Sequence, residues 1–585
     1  MSALEGLSIR IVGDHTESHY AGWLLAGLGA SVEVVGTRPA VELSPTSQWL
    51  TSHASYRQAP AGAIAPHTVG ADALIVDSGE RLPEGRADEL RAIRADAPAL
   101  VLTSISPYGL SGPMAGRRAT HQEAQAVAGL INETGFVDGP PVPVYGDIVR
   151  MATGANATLA TLLGLWRRRR TRGGALVDLS VLETTVGLRS SWAYTYAYTG
   201  LVTRRSLVEN IGHYLPCKDG YVHIYPATTS LDDLIRFLEI DESSIPAEVF
   251  PLDKSRQFSH PALLAIVRHA MSGITVDELV ERGILWRIPV SPALTSDALV
   301  HDRHLEARGY FETARMGGAE LRTPRYPFQG GIWRHEEPVD PGAARPAAPG
   351  STGLPLEGIR VAEFGTAWSG PMCAEILALY GAEVIKVEAP ERLDSGRANH
   401  YLDLIVRDPG YEFVYNSHPV NGGKLHFGLD INGPSGRATA RRLTECLDIL
   451  VTNISMRALT NLGMNGPAVQ AVNPRCTVVH STSAGLDGPY ASLAGYGSGM
   501  ELMTGLAAAT AGAAGQPGMI RSQLLHPDIF GALPQATAAV AGHFRRERTG
   551  VGAIVDLSQF ECGAVAGTRD LLRAQGAEEP QTAVA

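Results

Sequence analysis

The stretch HPDIFGALPQATAAV, residues 526–540, sets a single carboxylate, Asp528, at the mouth of an otherwise uncharged run of helical character. Asp is a favoured helix N-cap, and Asp528 follows Pro527 just where the pattern begins, so the plain expectation is a cap. A carboxylate at a helix start can also react, and the helix N-terminus helps keep it ionised. A second Asp-Ile pair stands at Asp147-Ile148, so the chain offers two acidic groups in similar surroundings. Other chemistries lack their marks. Cys217, Cys373, Cys446, Cys476 and Cys562 show no C-x-x-C spacing, which fits reduced thiols in a cytoplasm rather than a disulfide framework or a zinc site. There is no H-E-x-x-H, no G-x-x-x-x-G-K-[ST] and no G-x-S-x-G, and no metal is expected.

The elements that would position Asp528 belong to a long chain of ordinary composition. With 585 residues, 44% apolar and 19% charged, it is expected to fold as two or more globular domains. The net charge of −11 argues against nucleic acid and against an anionic membrane surface as partners. The one basic cluster, Arg167 to Arg170, closes an apolar helical run, where cations complement the helix dipole. The N-terminus lacks the basic and apolar regions of a signal peptide, and no apolar run is expected to be long enough to cross a bilayer.

The chain repeats itself. Residues 4–36 and 356–388 align without a gap at an offset of 352, with ten identities. Each segment reads as strand, loop, amphipathic helix ending in glycine, and second strand, a βαβ opening. RRRRTRGGALVDLSVLE (167–183) pairs with RRERTGVGAIVDLSQFE (545–561) at an offset of 378. SISPYGLSGP also resembles STSAGLDGP further on. A Pro/Ala/Gly-rich stretch separates the copies. The division expected is 1–200 for a first large domain, 201–334 for a small domain, 335–355 for the linker, and 356–585 for a second large domain.

LEGIRVAEFGTAWSGPMCAEILALYGAEVIKVEAP, NGGKLHFGLDINGPSGRATARRL, LDILVTN, NPRCTVVHSTSAGLDGP and RRERTGVGAIVDLSQFE, in that order, resemble the family III CoA-transferases. That family includes formyl-CoA and carnitine CoA-transferases and α-methylacyl-CoA racemases. The resemblance implies an α/β fold: two Rossmann-like open parallel-sheet domains related by duplication, with one smaller α/β domain between them. It also implies coenzyme A, as an acyl-CoA, and a carboxylic acid acceptor as substrates, and a nucleophilic aspartate that passes through an acyl anhydride and an aspartyl-CoA thioester. A carboxylate suits that work because it is ionised at neutral pH and divides one hard exchange into easier steps.

Matched residue by residue, the family's nucleophile lies 18 positions before the first Arg of its R-x-[RK]-T-G helix end, and Asp528 lies 18 before Arg546. The same count back from Arg168 reaches Arg150, and Asp147 lies 21 away, so Asp147 is expected to be a cap or a vestige. The resemblance implies CoA contacts from Trp368 and Ser369 in TAWSGP, from Asn421 and Lys424 in the N-x-x-K segment, with Lys424 facing a phosphate, and from Asn453 and Ser483. The chain also departs from the family. Basic residues are often found where Ala389 and Asn461 stand, and only Gly212 remains of a glycine-rich loop before YLPCKDGYVHI. The racemases carry a His where this copy has Tyr496, a secondary candidate for holding a ligand, and His121 of the first copy lies one step from that position. The first copy lacks a counterpart of NGGKLHFGLDINGPSG.

Two alternatives stand beside the transferase: an acyl-CoA racemase or isomerase on the same fold, and a CoA-binding paralogue without turnover. The two large domains are expected to pack as an internal pseudo-dimer served by the one small domain, and a homodimer of such chains is an open expectation.

Overall fold

The computed structural model describes residues 2–136, 139–188, 190–202, 204–205, 211–226, 228–328, 353–398, 418–522 and 524–578. The expected linker therefore lies almost wholly outside the described residues, as do residues 206–210 before Gly212. In the first copy, strands β1 (Ser8–Val12), β2 (Ser31–Gly36), β3 (Ser55–Gln58), β4 (Ala73–Asp77), β5 (Val101–Ser106) and β6 (Ala175–Ser180) form one sheet. Its order is β3-β2-β1-β4-β5-β6, with every pairing parallel. Helix α1 (Thr16–Gly27) connects β1 to β2, and the long helix α2 (Ile148–Thr171) precedes β6. The strands ALIVD and VLTSIS are buried along their whole length, as strands covered on both faces must be.

A three-stranded antiparallel sheet follows, β7 (Tyr214–Pro216), β8 (Tyr221–Ile224) and β9 (Val290–Ala293), and then a hairpin of β10 (Phe311–Met316) and β11 (Ala319–Pro324). The second copy repeats the first. Its strands are β12 (Arg360–Phe364), β13 (Glu383–Glu388), β14 (Leu425–Gly428), β15 (Ile449–Thr452), β16 (Thr477–Thr482) and β17 (Ile554–Ser558). They run in the order β14-β13-β12-β15-β16-β17, again all parallel. Its helices include α3 (Ser369–Leu379) after β12, the short α4 (Gly497–Met503) and the long α5 (His526–Thr549). The expected pair of duplicated α/β units is present in full. In each sheet the order reverses at the first strand, so a crevice opens beyond the carboxyl ends of β1 and β4, and of β12 and β15.

The two long helices, each of 24 residues, join the copies. The ring of Trp166 on α2 meets His543 and Phe544 on α5 at 4.6 and 5.2 Å between centroids, and Arg169 lies 5.5 Å over Phe544. Helix α2 is, against expectation, long and apolar enough by composition to span a membrane; 83% of its most apolar window is buried inside the protein, so its apolarity belongs to a core helix. One apolar cluster runs through both copies and the small sheet.

The small sheet packs on the second copy. Leu294 N–H donates to Leu502 O (3.0 Å), and His223 Nε2 lies 3.1 Å from Ser498 Oγ. Gly499 on α4 has no Cβ to strike Ser291 and His223, which is what lets α4 lie against this sheet. Further along, the guanidinium of Arg308, 4% exposed, pairs with Glu561 and Asp487 and lies 3.3 Å from Asp556.

Candidate active site

The start of α5 gathers the side chains with chemical potential. Leu525 precedes the helix at φ 52°, ψ 40°, a left-handed conformation that costs a non-glycine residue about 1–2 kcal/mol. Asp528 is the third residue of α5, inside its first turn, so it is not the N-cap that the sequence suggested. The residue is 8% exposed, and no hydrogen bond or ion pair reaches its carboxylate among the described residues. Burial raises the carboxyl from 3.8 to about 7. Burial therefore opposes the ionised form that the helix N-terminus was expected to help hold. Gly497, the first residue of α4, lies against this carboxylate; a Cβ there would fall 2.3 Å from Asp528 Oδ2 and 2.8 Å from Leu525 Cβ.

The loop after β12, Gly365 to Trp368, lies at the crevice. Asn453, directly after β15, holds it: Oδ1 accepts the Thr366 N–H (2.9 Å) and Nδ2 donates to Thr366 O (2.8 Å). Ala367 is held left-handed at φ 61°, and its N–H donates to Asp394 Oδ1 (2.9 Å). Ser369 begins α3, and its Oγ accepts from Gln535 Nε2 on α5 (2.6 Å). Gly531, one turn beyond Asp528, permits this approach, because a Cβ there would meet Ser369 Oγ at 2.7 Å. Trp368 is partly exposed at the head of α3. The structure thus sets Ser369 against the helix that carries Asp528, one turn beyond it at Gly531, while Asn453 spends its amide on the loop backbone.

Lys424 lies elsewhere. Its side chain is fully buried, and Nζ donates to Glu363 Oε2 (2.6 Å), Pro371 O (2.7 Å), Val420 O (2.6 Å) and Asn421 Oδ1 (3.1 Å). The expected phosphate contact is corrected accordingly, since an ammonium with four internal acceptors has no donor left for a ligand. Asn421 is drawn into the same network. Glu363 in β12 also accepts from Lys386 Nζ (2.7 Å), which reaches Asp394 Oδ2 at 2.8 Å. Burial would raise Glu363, but the two lysines hold its carboxyl below the usual range. The network underpins the loop from within the sheet.

Ser483 donates from Oγ to Leu493 O (2.7 Å), fixing the turn that leads to Tyr496. Tyr496 stacks on Tyr225 of the small sheet's exit, with centroids 4.0 Å apart and planes 10° from parallel. A two-ring stack spanning small sheet and second copy therefore ends next to Gly497 and Asp528. Gly497, Gln535, Asp394 and Tyr225 are the residues that sequence reasoning missed. Gln535 is legible in principle, seven positions along the helix from Asp528; the other three carry no local signal.

In the first copy the third residue of α2 is Arg150, the position that Asp528 holds in α5. Asp147 is the N-cap residue, 7% exposed, without a side-chain capping bond, and 3.7 Å from Arg150 Nε. Among the described residues no three His, Cys, Asp or Glu gather as metal ligands, and the five cysteines are unbridged.

The model of CoA-transferase family III matches residues 71–348 and 356–583. A probable CoA-transferase of Mycobacterium tuberculosis is 27% identical over 496 residues, 79% of this chain and 61% of its own length. A succinate–glutarate CoA-transferase of Agrobacterium fabrum is 32% identical over 207 residues, 35% of this chain and 51% of its own. The chain thus spans about half to three fifths of the length of these relatives. A CAIB/BAIF family protein from Brucella suis is 21% identical, with a TM-score of 0.46 over 55% of this chain and 92% of its own.

Proposed function

This chain belongs to CoA-transferase family III, and we propose that it moves CoA from an acyl-CoA to a carboxylic acid at the second copy, with Asp528 as nucleophile. The observation that carries the reading is the carboxylate of Asp528: buried, without an ion-pair partner among the described residues, facing Gly497, and one helical turn before the Gly531 that meets Ser369. An anion so placed is poorly solvated and has no cation to quench it, which favours attack on an electrophile.

The ionised carboxylate attacks the thioester carbonyl carbon, the C–S bond breaks, and CoA leaves as thiolate with a mixed anhydride on Asp528. The thiolate then attacks the Asp528 carbonyl carbon of that anhydride and expels the donor's carboxylate, leaving an Asp528–CoA thioester. An acceptor carboxylate attacks the thioester to give a new anhydride and thiolate. Attack of the thiolate on the acceptor's carbonyl carbon yields the new acyl-CoA and restores Asp528. Each step forms and breaks one bond at an acyl carbon, and no net proton is consumed. The loop held by Asn453 and seated on Gln535 supplies backbone positions for CoA, as helix N-termini beyond parallel strands commonly do. The racemase alternative would place a base where Tyr496 stands, and that ring is taken up in the stack on Tyr225. The unbridged thiols support a cytoplasmic setting.

The test is exchange of radiolabelled CoA between an acyl-CoA and free carboxylic acids. Wild-type protein should catalyse it with some acid pair and Asp528→Asn should not; exchange that survives in the Asn variant rules the proposal out.

A further inference from the structure

The first copy has rebuilt its crevice. Alignment with the second copy sets His15 at the place of Ala367, Glu17 at that of Ser369, Asp77 at that of Asn453, and Arg150 at that of Asp528. His15, Glu17, His121 and Arg150 line a cavity of ≈ 30 Å³ that is partly open to solvent. At about 10–15 Å³ for each water, it takes two or three waters, or the polar end of a small molecule. The cradle is specific to its residues: Gly79, at φ 60°, carries the His15 ring where a Cβ would come within 2.3 Å of it.

Glu17 is the informative group. It is 1% exposed, its Oε1 lies 3.1 Å from His121 Nε2, and its Oε2 has no hydrogen-bond partner among the described residues. Burial would raise its carboxyl, but His121 and Arg150 hold it well below the usual range, so the bare oxygen carries charge. A buried, charged acceptor without a donor is costly, and a ligand that supplies one relieves that cost. Arg150 faces the same cavity with its side chain 34% exposed and, among the described residues, approaches a carboxylate most nearly at Asp147, 3.7 Å away. Its planar fork suits a carboxylate.

We propose that the first copy's crevice binds a small carboxylic acid bearing a hydroxyl or amino group on the carbon next to its carboxyl. The carboxylate lies on Arg150, and the neighbouring O–H or N–H donates to Glu17 Oε2. A plain anion is disfavoured by the charge on Glu17. The site binds without turnover and stands apart from the reading of Asp528.

The experiment is calorimetry on the full chain carrying Asp528→Asn, titrated with lactate, alanine and propanoate. Lactate or alanine should bind at one site per chain, and which of the two binds identifies the donor. Propanoate, which has none, should bind at least about tenfold more weakly, the effect of one charge-assisted hydrogen bond. Arg150→Gln should weaken binding by a similar factor or more. Glu17→Gln, close in shape to the native side chain, should abolish the preference over propanoate. Thermal melts of each variant confirm folding. The proposal fails if neither substituted acid binds, if propanoate binds equally well, or if affinity survives in folded Arg150→Gln protein.

Discussion

Gly497 and Asp528 are in contact across the start of two helices: a Cβ on the glycine would stand 2.3 Å from the aspartate Oδ2. The space that the missing side chain leaves is the space beside the reactive oxygen. Gly497→Ala must therefore push Asp528 or Leu525 aside. Overpacking of this kind costs about 1–3 kcal/mol, and a displaced nucleophile costs roughly a hundredfold in rate. Thermal melts and CoA exchange rates measure the two effects; full activity in the Ala variant would show that the carboxylate does not work from this position.

The titration of Asp528 ties stability to pH. Its carboxyl titrates near 7 when folded and near 3.8 when not, so between those values the folded chain holds a proton that the unfolded chain has lost. The group's contribution is fully present below pH about 4 and lost as pH rises to 7. Asp528→Asn removes it. The stability of wild type minus that of the variant should thus fall across this window by up to a few kcal/mol, then level off. Exchange activity should move the other way and rise through pH 7, because the ionised form attacks. Denaturant melts at several pH values, beside rate profiles, check both signs.

Lys424 should behave as a structural cation. Lys424→Met leaves Glu363 with Lys386 alone and strands two backbone carbonyls, at a cost of about 3 kcal/mol or more. Affinity for CoA in the fraction that remains folded should change less than about threefold, which calorimetry well below the melting temperature reads. A large loss of affinity without loss of stability would restore the phosphate role.

Asn453 should act through the loop. Asn453→Ala deletes both bonds to the Thr366 backbone, about 1–2 kcal/mol in total, and frees the segment that carries Ala367 and Trp368. The KM for acyl-CoA should rise roughly tenfold together with a lower melting temperature. Weakened binding at unchanged stability would instead indicate that the amide touches the ligand directly.

Much of this was legible in the sequence. The ten identities between residues 4–36 and 356–388 mark one βαβ unit, with the buried Leu25, Ala30, Val32 and Val35 and their counterparts among them, and the two sheets share one strand order. Helix register was also legible: Arg150 and Asp528 are each third in a 24-residue helix because the spacing to the basic helix end is fixed by the helical rise. What spacing cannot encode is direction across the fold. The N-x-x-K segment says that Lys424 and Asn421 are neighbours, but whether the ammonium faces a ligand or Glu363 depends on β12, about sixty residues away. Gly497 and Tyr225 are likewise meaningful only through long-range partners. The burial that raises the Asp528 carboxyl is hidden for the same reason, since the helix terminus is local and the desolvating neighbours are not.

The central claim is that Asp528 alone forms the covalent intermediate. The direct measurement is to incubate the protein with an acyl-CoA, trap the activated carboxylate with hydroxylamine, and map the modified peptide by mass spectrometry in wild type, Asp528→Asn and Asp147→Asn. Neither carboxylate accepts a side-chain capping bond at its helix start, so both Asn variants should fold. The account predicts a hydroxamate on the peptide containing Asp528 in wild type and Asp147→Asn, and none in Asp528→Asn. An adduct on Asp147, or one that persists in Asp528→Asn, would contradict it.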